Sequence, residues 1–233
     1  MNKGFSIAID GPVASGKGTV ASALANALGG FFINTGGMYR CVALLCIQNN
    51  IDTEKEAEVV KVLPQTNVEF RKGCVYLNGA DVTERLKEAD VARGSSVVAV
   101  YEKVRKDLVE KQQRIAGDLI LKGKIVIAEG RDTGTRVLPD ASFKIYLTAA
   151  VEIRAKRSLN RDMQRGAIKN FEDVLKETKI RDERDMGRDV DPLPSNPESL
   201  GYWVLDSSSQ KEEETISIVL SKLKERGLIH DQV

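Results

Sequence analysis

Phe5-Ser6-Ile7-Ala8-Ile9-Asp10-Gly11-Pro12-Val13-Ala14-Ser15-Gly16-Lys17-Gly18-Thr19 is the stretch that decides the fold. The apolar run Phe5 to Asp10 reads as a strand. After the glycine-rich turn, Val20, Leu24 and Leu28 recur at helical spacing up to Gly29-Gly30, so a helix over Thr19 to Leu28 points its N-terminus into the turn. A turn in that position is a phosphate cradle: glycines let backbone N–H groups curl around phosphate oxygens, Lys17 adds a positive charge, and a downstream hydroxyl can reach a magnesium ion. The reading is a nucleoside triphosphate site built from Gly11, Pro12, Val13, Ala14, Ser15, Gly16, Lys17, Gly18 and Thr19. The usual pattern places Ser or Thr directly after the lysine. Here Gly18 intervenes and the hydroxyl arrives at Thr19, a GKGT ending that narrows the field.

Outward from that loop, composition bounds the rest. The chain has 233 residues, enough for one α/β domain with insertions, with 42% apolar and 30% charged residues. Its net charge of +1 excludes a global basic field for nucleic acid, and no apolar run suggests a membrane span. Cys41, Cys46 and Cys74 are odd in number and widely spaced, and the only histidine is His230, near the last residue. Neither a zinc site, a disulfide framework nor a histidine-based triad fits. With no targeting segment ahead of Phe5, a cytoplasmic monomer is expected.

Further strands are expected at Ile125 to Glu129, Phe143 to Leu147 and Tyr202 to Asp206, and helices at Gly37 to Gln48, Ser96 to Leu121, Val151 to Gln164, Phe171 to Met186 and Glu212 to Glu225. The alternation implies α/β architecture, a P-loop three-layer fold with a parallel central sheet. Between Thr66 and Val82, Val68, Phe70, Val75, Leu77 and Val82 alternate with polar residues around Lys72-Gly73 and Asn78-Gly79, predicting a small antiparallel meander. It is too short to bury its own core, so 64–92 is expected as an insert in a single P-loop domain whose core is 1–63 and 93–233. Arg165 to Asn170 breaks a helical pattern and suggests a short lid over 157–170.

Phosphoryl transfer asks the protein for positioning and charge neutralisation, so arginines are the residues to follow. Arg154, Arg157, Arg161 and Arg165 recur every three or four residues beside the lid, where they either close over donor phosphates or form a solvated stripe paired with Glu152 and Asp162. Arg181, Arg184, Asp185 and Arg188 follow on the next helix. Glu129-Gly130-Arg131-Asp132-Thr133-Gly134-Thr135 falls directly after a strand, at the sheet edge where open α/β folds bind ligands. Asn34-Thr35-Gly36-Gly37-Met38-Tyr39-Arg40 reads as a second anion site, in which Arg40 grips a phosphate and Thr35 caps the helix or touches a sugar.

In order along the chain, IDGPVASGKGT (9–19), TGGMYR (35–40), SVVAVYEKVR (96–105), EGRDTGTRVLPDA (129–141) and RDERDMGRDVDPL (181–193) closely resemble the bacterial cytidylate kinases, a branch of the nucleoside monophosphate kinases. The resemblance covers nearly the whole chain. It implies transfer of the γ-phosphoryl of ATP to CMP or dCMP with Mg²⁺ as cofactor and Thr19 reaching the metal. It further implies Lys17, Arg131, Arg157, Arg161 and Arg188 as catalytic residues, with Arg157 and Arg161 as lid arginines. Thr35, Tyr39, Arg40 and Arg131 would hold the acceptor, Ser96, Arg105 and Asp132 would face the cytosine, and Arg181, Asp185 and Arg188 would contact ribose, base or phosphate. Ser95 adjoins Ser96; the spacing to Arg105 favours Ser96. Glu129 follows the strand where an aspartate would be the clean magnesium partner, so the acidic partner stays unassigned.

The base has a physical argument of its own. Cytosine offers an amino donor where uracil offers a carbonyl acceptor, so a buried carboxylate such as Asp132 pairs with one and repels the other. The rivals are a kinase of the same fold acting on UMP or another small acceptor, and a P-loop nucleotide-binding switch. Against the switch stand the second anion site and the lack of a guanine-reading Asn-Lys-x-Asp sequence.

Overall fold

The structure, a computed structural model, describes residues 4–71 and 73–230. The elements run β1 (Ser6–Asp10), α1 (Lys17–Leu28), β2 (Phe31–Asn34), α2 (Thr35–Gln48), α3 (Glu56–Val59), β3 (Val68–Arg71), β4 (Cys74–Leu77), β5 (Ala80–Asp81), α4 (Ala89–Val98), α5 (Glu102–Leu121), β6 (Val126–Glu129), β7 (Phe143–Thr148), α6 (Val151–Gln164), α7 (Phe171–Gly187), β8 (Trp203–Asp206) and α8 (Glu212–Glu225). Five strands form a parallel sheet in the order β2-β6-β1-β7-β8.

β1 is buried along its whole length because both sides of the sheet are covered. Ile7 and Ile9 pack with Val20 and Leu24 of α1 and Val219 and Leu223 of α8, whereas Ala8 packs with Ala116 of α5. Successive side chains point to opposite faces, and the three layers follow from that alternation. The register sets Ile9 opposite Glu129, and Glu129 opposite Asn34, so the carboxyl ends of β1, β6 and β2 finish side by side. The glycine-rich loop, the 130–134 loop and the N-terminus of α2 therefore emerge together at one edge.

The meander is present: β3, β4 and β5 pair antiparallel, with Val68 opposite Leu77 and Phe70 opposite Val75. Lys72, read as part of its first turn, lies outside the described residues. The sheet shares an apolar cluster with α2, α4 and α5 through Val68, Val75, Leu77, Leu44, Val91 and Leu108. Arg165 to Asn170 joins α6 to α7 without regular structure.

Three expectations need correction. β2 is a parallel edge strand that the sequence reading passed over, because four residues between Gly29-Gly30 and Gly36-Gly37 carry almost no periodic signal. The expected helix over Ser96 to Leu121 is two helices, α4 and α5, separated at residues 99–101. There Tyr101 donates from Oη to the Thr53 carbonyl at 3.0 Å, which ties the break to the connection between α2 and α3, and Arg105 donates to the Ala99 carbonyl at 3.1 Å, an acceptor that a continuing helix would use. Third, α1 and α2 begin two residues earlier than expected, at Lys17 and Thr35.

Candidate active site

β1 delivers its chain end to the glycine-rich loop at Asp10, and Gly11 then bends where only glycine fits: its φ is +146°, and a Cβ would lie 2.0 Å from the Leu147 carbonyl oxygen. Ala14 and Gly16 also take positive φ, and Gly16 caps α1 without a side-chain partner. The first helical bond runs from Val20 N–H to the Gly16 carbonyl, which leaves the N–H groups of Lys17, Gly18 and Thr19 without intrahelical acceptors, a ready anion site. Lys17 is buried and donates from Nζ to the Pro12 carbonyl at 2.7 Å and to Ser15 Oγ at 3.4 Å. Burial, reinforced by the positive charge of Arg131, lowers its pKa from the usual lysine value to about 7. Gly18 and Thr19 are exposed on the first turn, and nothing lies within 4 Å of a Cβ built on Gly18.

The regularly spaced arginines of α6 divide among different tasks. Arg154 is buried; it donates to the carbonyls of Ala149 at 2.8 Å and Val13 at 3.1 Å, and pairs with Asp182 of α7 at 2.7 Å. Its guanidinium is thus spent inside the protein and does not face donor phosphates, contrary to one reading of the stripe. Arg157 donates to Ser207 Oγ at 3.0 Å, the Ser207 carbonyl at 2.6 Å and the Gln210 carbonyl at 3.4 Å, in the loop after β8. Arg161 donates to Ser158 Oγ at 3.1 Å. Burial lowers its pKa, and its charge in turn acts on Arg40 and Arg181.

Those interactions mark a convergence. Arg40 and Arg181 make no hydrogen bond or ion pair among the described residues, and burial depresses both, Arg181 to about 10 with the nearby charge of Arg131 next in importance. Arg131 pairs through Nε with Asp185 at 2.6 Å; burial works against the charge of each, and the pair outweighs it, raising Arg131 and lowering Asp185. Lys17, Arg40, Arg131, Arg161 and Arg181 gather around a position with one carboxylate, Asp185, directly paired to the group. Concentrated buried cations call for an anion.

Behind that position, Asp10 accepts from the backbone N–H groups of Thr133 at 2.8 Å and Gly134 at 2.7 Å and from Tyr202 Oη at 2.7 Å. The carboxylate thereby fixes the loop that carries Arg131 and Asp132. Gly130 permits a close approach, since a Cβ there would sit 2.3 Å from Thr35 Oγ1. Thr35 itself donates from Oγ1 to the Glu129 carbonyl at 2.7 Å, so it ties β6 to α2 and does not cap the helix; the cap is Asn34, whose side chain accepts from Gly37 N–H at 2.9 Å. The earlier start of α2 causes that exchange of roles.

A second charged group lies beside the first. Arg105, almost wholly buried, pairs through Nη2 with Asp132 and through Nε with Asp191 at 3.1 Å, while Arg188 Nη2 stands 3.8 Å from the other Asp132 oxygen. Burial opposes the charge on Arg105, and Tyr39, Asp132 and Asp191 more than offset it. The Arg105 guanidinium lies 5.6 Å from the Tyr39 ring, and Tyr39 Oη is buried without a hydrogen-bond partner. Ser95 and Ser96 both bond the Ala92 carbonyl, at 2.9 and 3.3 Å; Ser95 is buried and Ser96 only partly so.

Sequence comparison places this geometry. The family profile described as Cytidylate kinase matches residues 7–225. The chain belongs to the cytidylate kinase family. It is 40% identical over 225 residues to the cytidylate kinase of Bacillus cereus (strain G9842), covering 95% of this chain and 96% of that one. To the cytidylate kinase of Caldanaerobacter subterraneus subsp. tengcongensis it is 40% identical over 224 residues, covering 96% of each. Among solved structures, an uncharacterized protein from Eubacterium ventriosum ATCC 27560 superposes with a TM-score of 0.55 at 12% identity, covering 96% of this chain and 99% of that one, a likeness of fold alone.

Two members of this charged group carry no clear signal in the sequence of this cytidylate kinase family chain. Asp10 was visible only as the end of an apolar strand; a charged residue completing an otherwise buried run was the available signal. Asp191 lay in a stretch dominated by other acids and arginines, and nothing in its spacing set it apart.

Proposed function

We propose that the chain transfers the γ-phosphoryl group of ATP to CMP or dCMP, giving ADP and CDP or dCDP. The observation that supports the reading is a succession of charged groups: Lys17 with the α1 N-terminus, then Arg40, Arg131 and Arg181, then the buried Arg105–Asp132 pair. Family membership supports it.

The α1 N–H groups and Lys17 hold the donor phosphates, and Arg40, Arg131 and Arg181 hold the phosphate of the acceptor. An oxygen of that phosphate attacks the γ-phosphorus as its bond to the β-phosphate oxygen breaks, so no protein nucleophile is needed. Arg161 and Arg188 neutralise charge around the transfer, and Arg157 acts beside Ser207 and Gln210. Closing the 157–170 segment excludes water. Asp132 accepts from the cytosine amino group, with Arg105, Ser96 and Tyr39 around the base and Thr35 and Asp185 toward the ribose.

The donor set fits a magnesium ion held largely by the nucleotide: Thr19 presents an exposed hydroxyl at the start of α1, and no cluster of three or more His, Cys, Asp or Glu suited to a metal occurs among the described residues. Bound there with ATP, Mg²⁺ would offset phosphate charge. The low net charge supports free nucleotides over nucleic acid as partners, and no helix among the described residues is long and apolar enough to cross a membrane. We read the working unit as a cytoplasmic monomer; the free cysteines are compatible with a reducing compartment.

A coupled ADP-release assay across nucleoside monophosphates tests the function. Turnover with CMP and dCMP well above UMP and AMP is expected, and turnover confined to UMP or AMP would overturn it.

A further inference from the structure

Asp191 occupies an unusual place. It follows the end of α7, immediately before Pro192, with a φ of +50°, a left-handed conformation that costs a residue with a side chain some strain. Its side chain is only 8% exposed. One oxygen accepts from Arg105 Nε at 3.1 Å and the other from Arg136 Nε. Its backbone carbonyl accepts from Arg188 twice, through Nε at 2.7 Å and through Nη2. A single residue thus engages arginines from α5, from the loop between β6 and β7, and from the C-terminal end of α7.

The charges explain what this does. Arg105 and Arg188 are both buried and both face Asp132; Arg188 is also balanced by Asp185, whereas the acids that act on Arg105 are Asp132 and Asp191. Asp191 supplies the second negative charge, while Arg136 is 59% exposed and largely balanced by solvent. By taking two N–H groups of Arg188, the Asp191 carbonyl also keeps that guanidinium 3.8 Å from Asp132 Oδ1, beyond hydrogen-bond length. Among the described residues Oδ1 accepts no hydrogen bond, whereas Oδ2 is taken by Arg105.

We propose that Asp191 is a positioning residue for base selection: it holds Arg105 and Arg188 so that one oxygen of Asp132 stays free to accept the 4-amino N–H of cytosine. The inference rests on the reading of Asp132 as the base acceptor. Without the Asp191 carboxylate, Arg105 Nε loses its acceptor and the guanidinium turns both donors onto Asp132, taking Oδ1 as well as Oδ2, while Arg188 stays on the Asp191 carbonyl. Cytosine then loses its acceptor, and uracil, which never used it, loses little.

The test compares kcat/KM for CMP and UMP in Asp191→Asn and Asp191→Gly, both of which tolerate the left-handed backbone. The ratio for two substrates on one preparation does not depend on how much of it is folded. The CMP preference should fall about tenfold in both variants, mainly through KM for CMP, with KM for ATP unchanged. Equal losses on CMP and UMP, or a rise in KM for ATP to match, would show a structural role only and overturn the proposal. Asp132→Ala, run in parallel, separates the two readings. If it collapses the preference and the Asp191 variants do not, the Asp191 role is wrong; if it leaves the preference intact, the base reading itself fails.

Discussion

The Lys17 ammonium lies 2.7 Å from the carbonyl of Pro12, so the cation of the glycine-rich loop is folded back into the loop that it serves. Burial holds its pKa at about 7, far below an exposed lysine.

Phosphates beside Lys17 favour its charged form, so binding of ATP above pH 7 must bring a proton with it. Affinity should be nearly constant below that pH and weaken as pH rises toward 9, by at most about tenfold per unit. Stability of the free protein has the opposite sign: over the same interval the unfolded chain, with its ordinary lysine, binds more protons than the native one, and stability due to this group rises with pH. Calorimetry at pH 8 in buffers of different ionisation enthalpy should register up to one proton taken up per ATP, and none for Lys17→Met. No uptake in the unaltered protein would mean that the lysine is already charged.

Asp10 receives three hydrogen bonds in a fully buried position. Replacing it with alanine leaves three donors unpaired and should cost about 3 kcal/mol or more of stability. Tyr202→Phe removes one donor and should cost about 1.5 kcal/mol. Denaturant unfolding measures both, and an Asp10→Ala loss no larger than that of Tyr202→Phe would contradict the buttress.

Arg157 and Arg161 sit one turn apart on α6 yet touch different groups. Arg161→Met should lower kcat by about 100-fold with little change in KM for ATP, as expected of charge neutralised in the transition state. Arg157→Met frees the Ser207 to Gln210 loop and should raise KM for ATP about fivefold while kcat falls less than in the Arg161 variant. Steady-state kinetics with ATP varied distinguishes them, and identical profiles would return both to a single lid role.

Cys41 and Cys46 are fully buried, and burial lifts their thiols to about 12 and about 11. A thiol must lose its proton to be alkylated, so both should be inert in the native protein at pH 8. Cys74, partly exposed at the start of β4, should react alone. Mass spectrometry after brief alkylation reads the number of adducts; a second adduct without unfolding would count against this core.

Much of this molecule is legible in its sequence because several cues agree. The strand, glycine-rich loop and helix around Lys17 fix one another, and α6 and α8 fall where periodicity places them. The break between α4 and α5 is a different matter: it depends on Tyr101 reaching Thr53 and Arg105 reaching Ala99, contacts that no local pattern encodes. The arginines show the same divide. Their spacing on α6 predicts a shared stripe, but whether each guanidinium meets a backbone carbonyl, an acid or another arginine depends on loops distant in sequence. Thr35 likewise looks like a cap until β6 supplies a carbonyl.

Arg154 fastens the N-terminal part of α6 to Val13 of the glycine-rich loop and to Asp182 on α7. That makes it a fulcrum. The hairpin beyond it is a lever about 15 Å long, ten residues of helix from Arg154 to the end of α6, with Arg161 about 10 Å along the arm. A swing of roughly 20° about such a pivot displaces Arg161 by about 3.5 Å, close to one hydrogen-bond length, while the donor loop at the pivot hardly stirs. Such a swing would carry the charge of Arg161 without disturbing the glycine-rich loop.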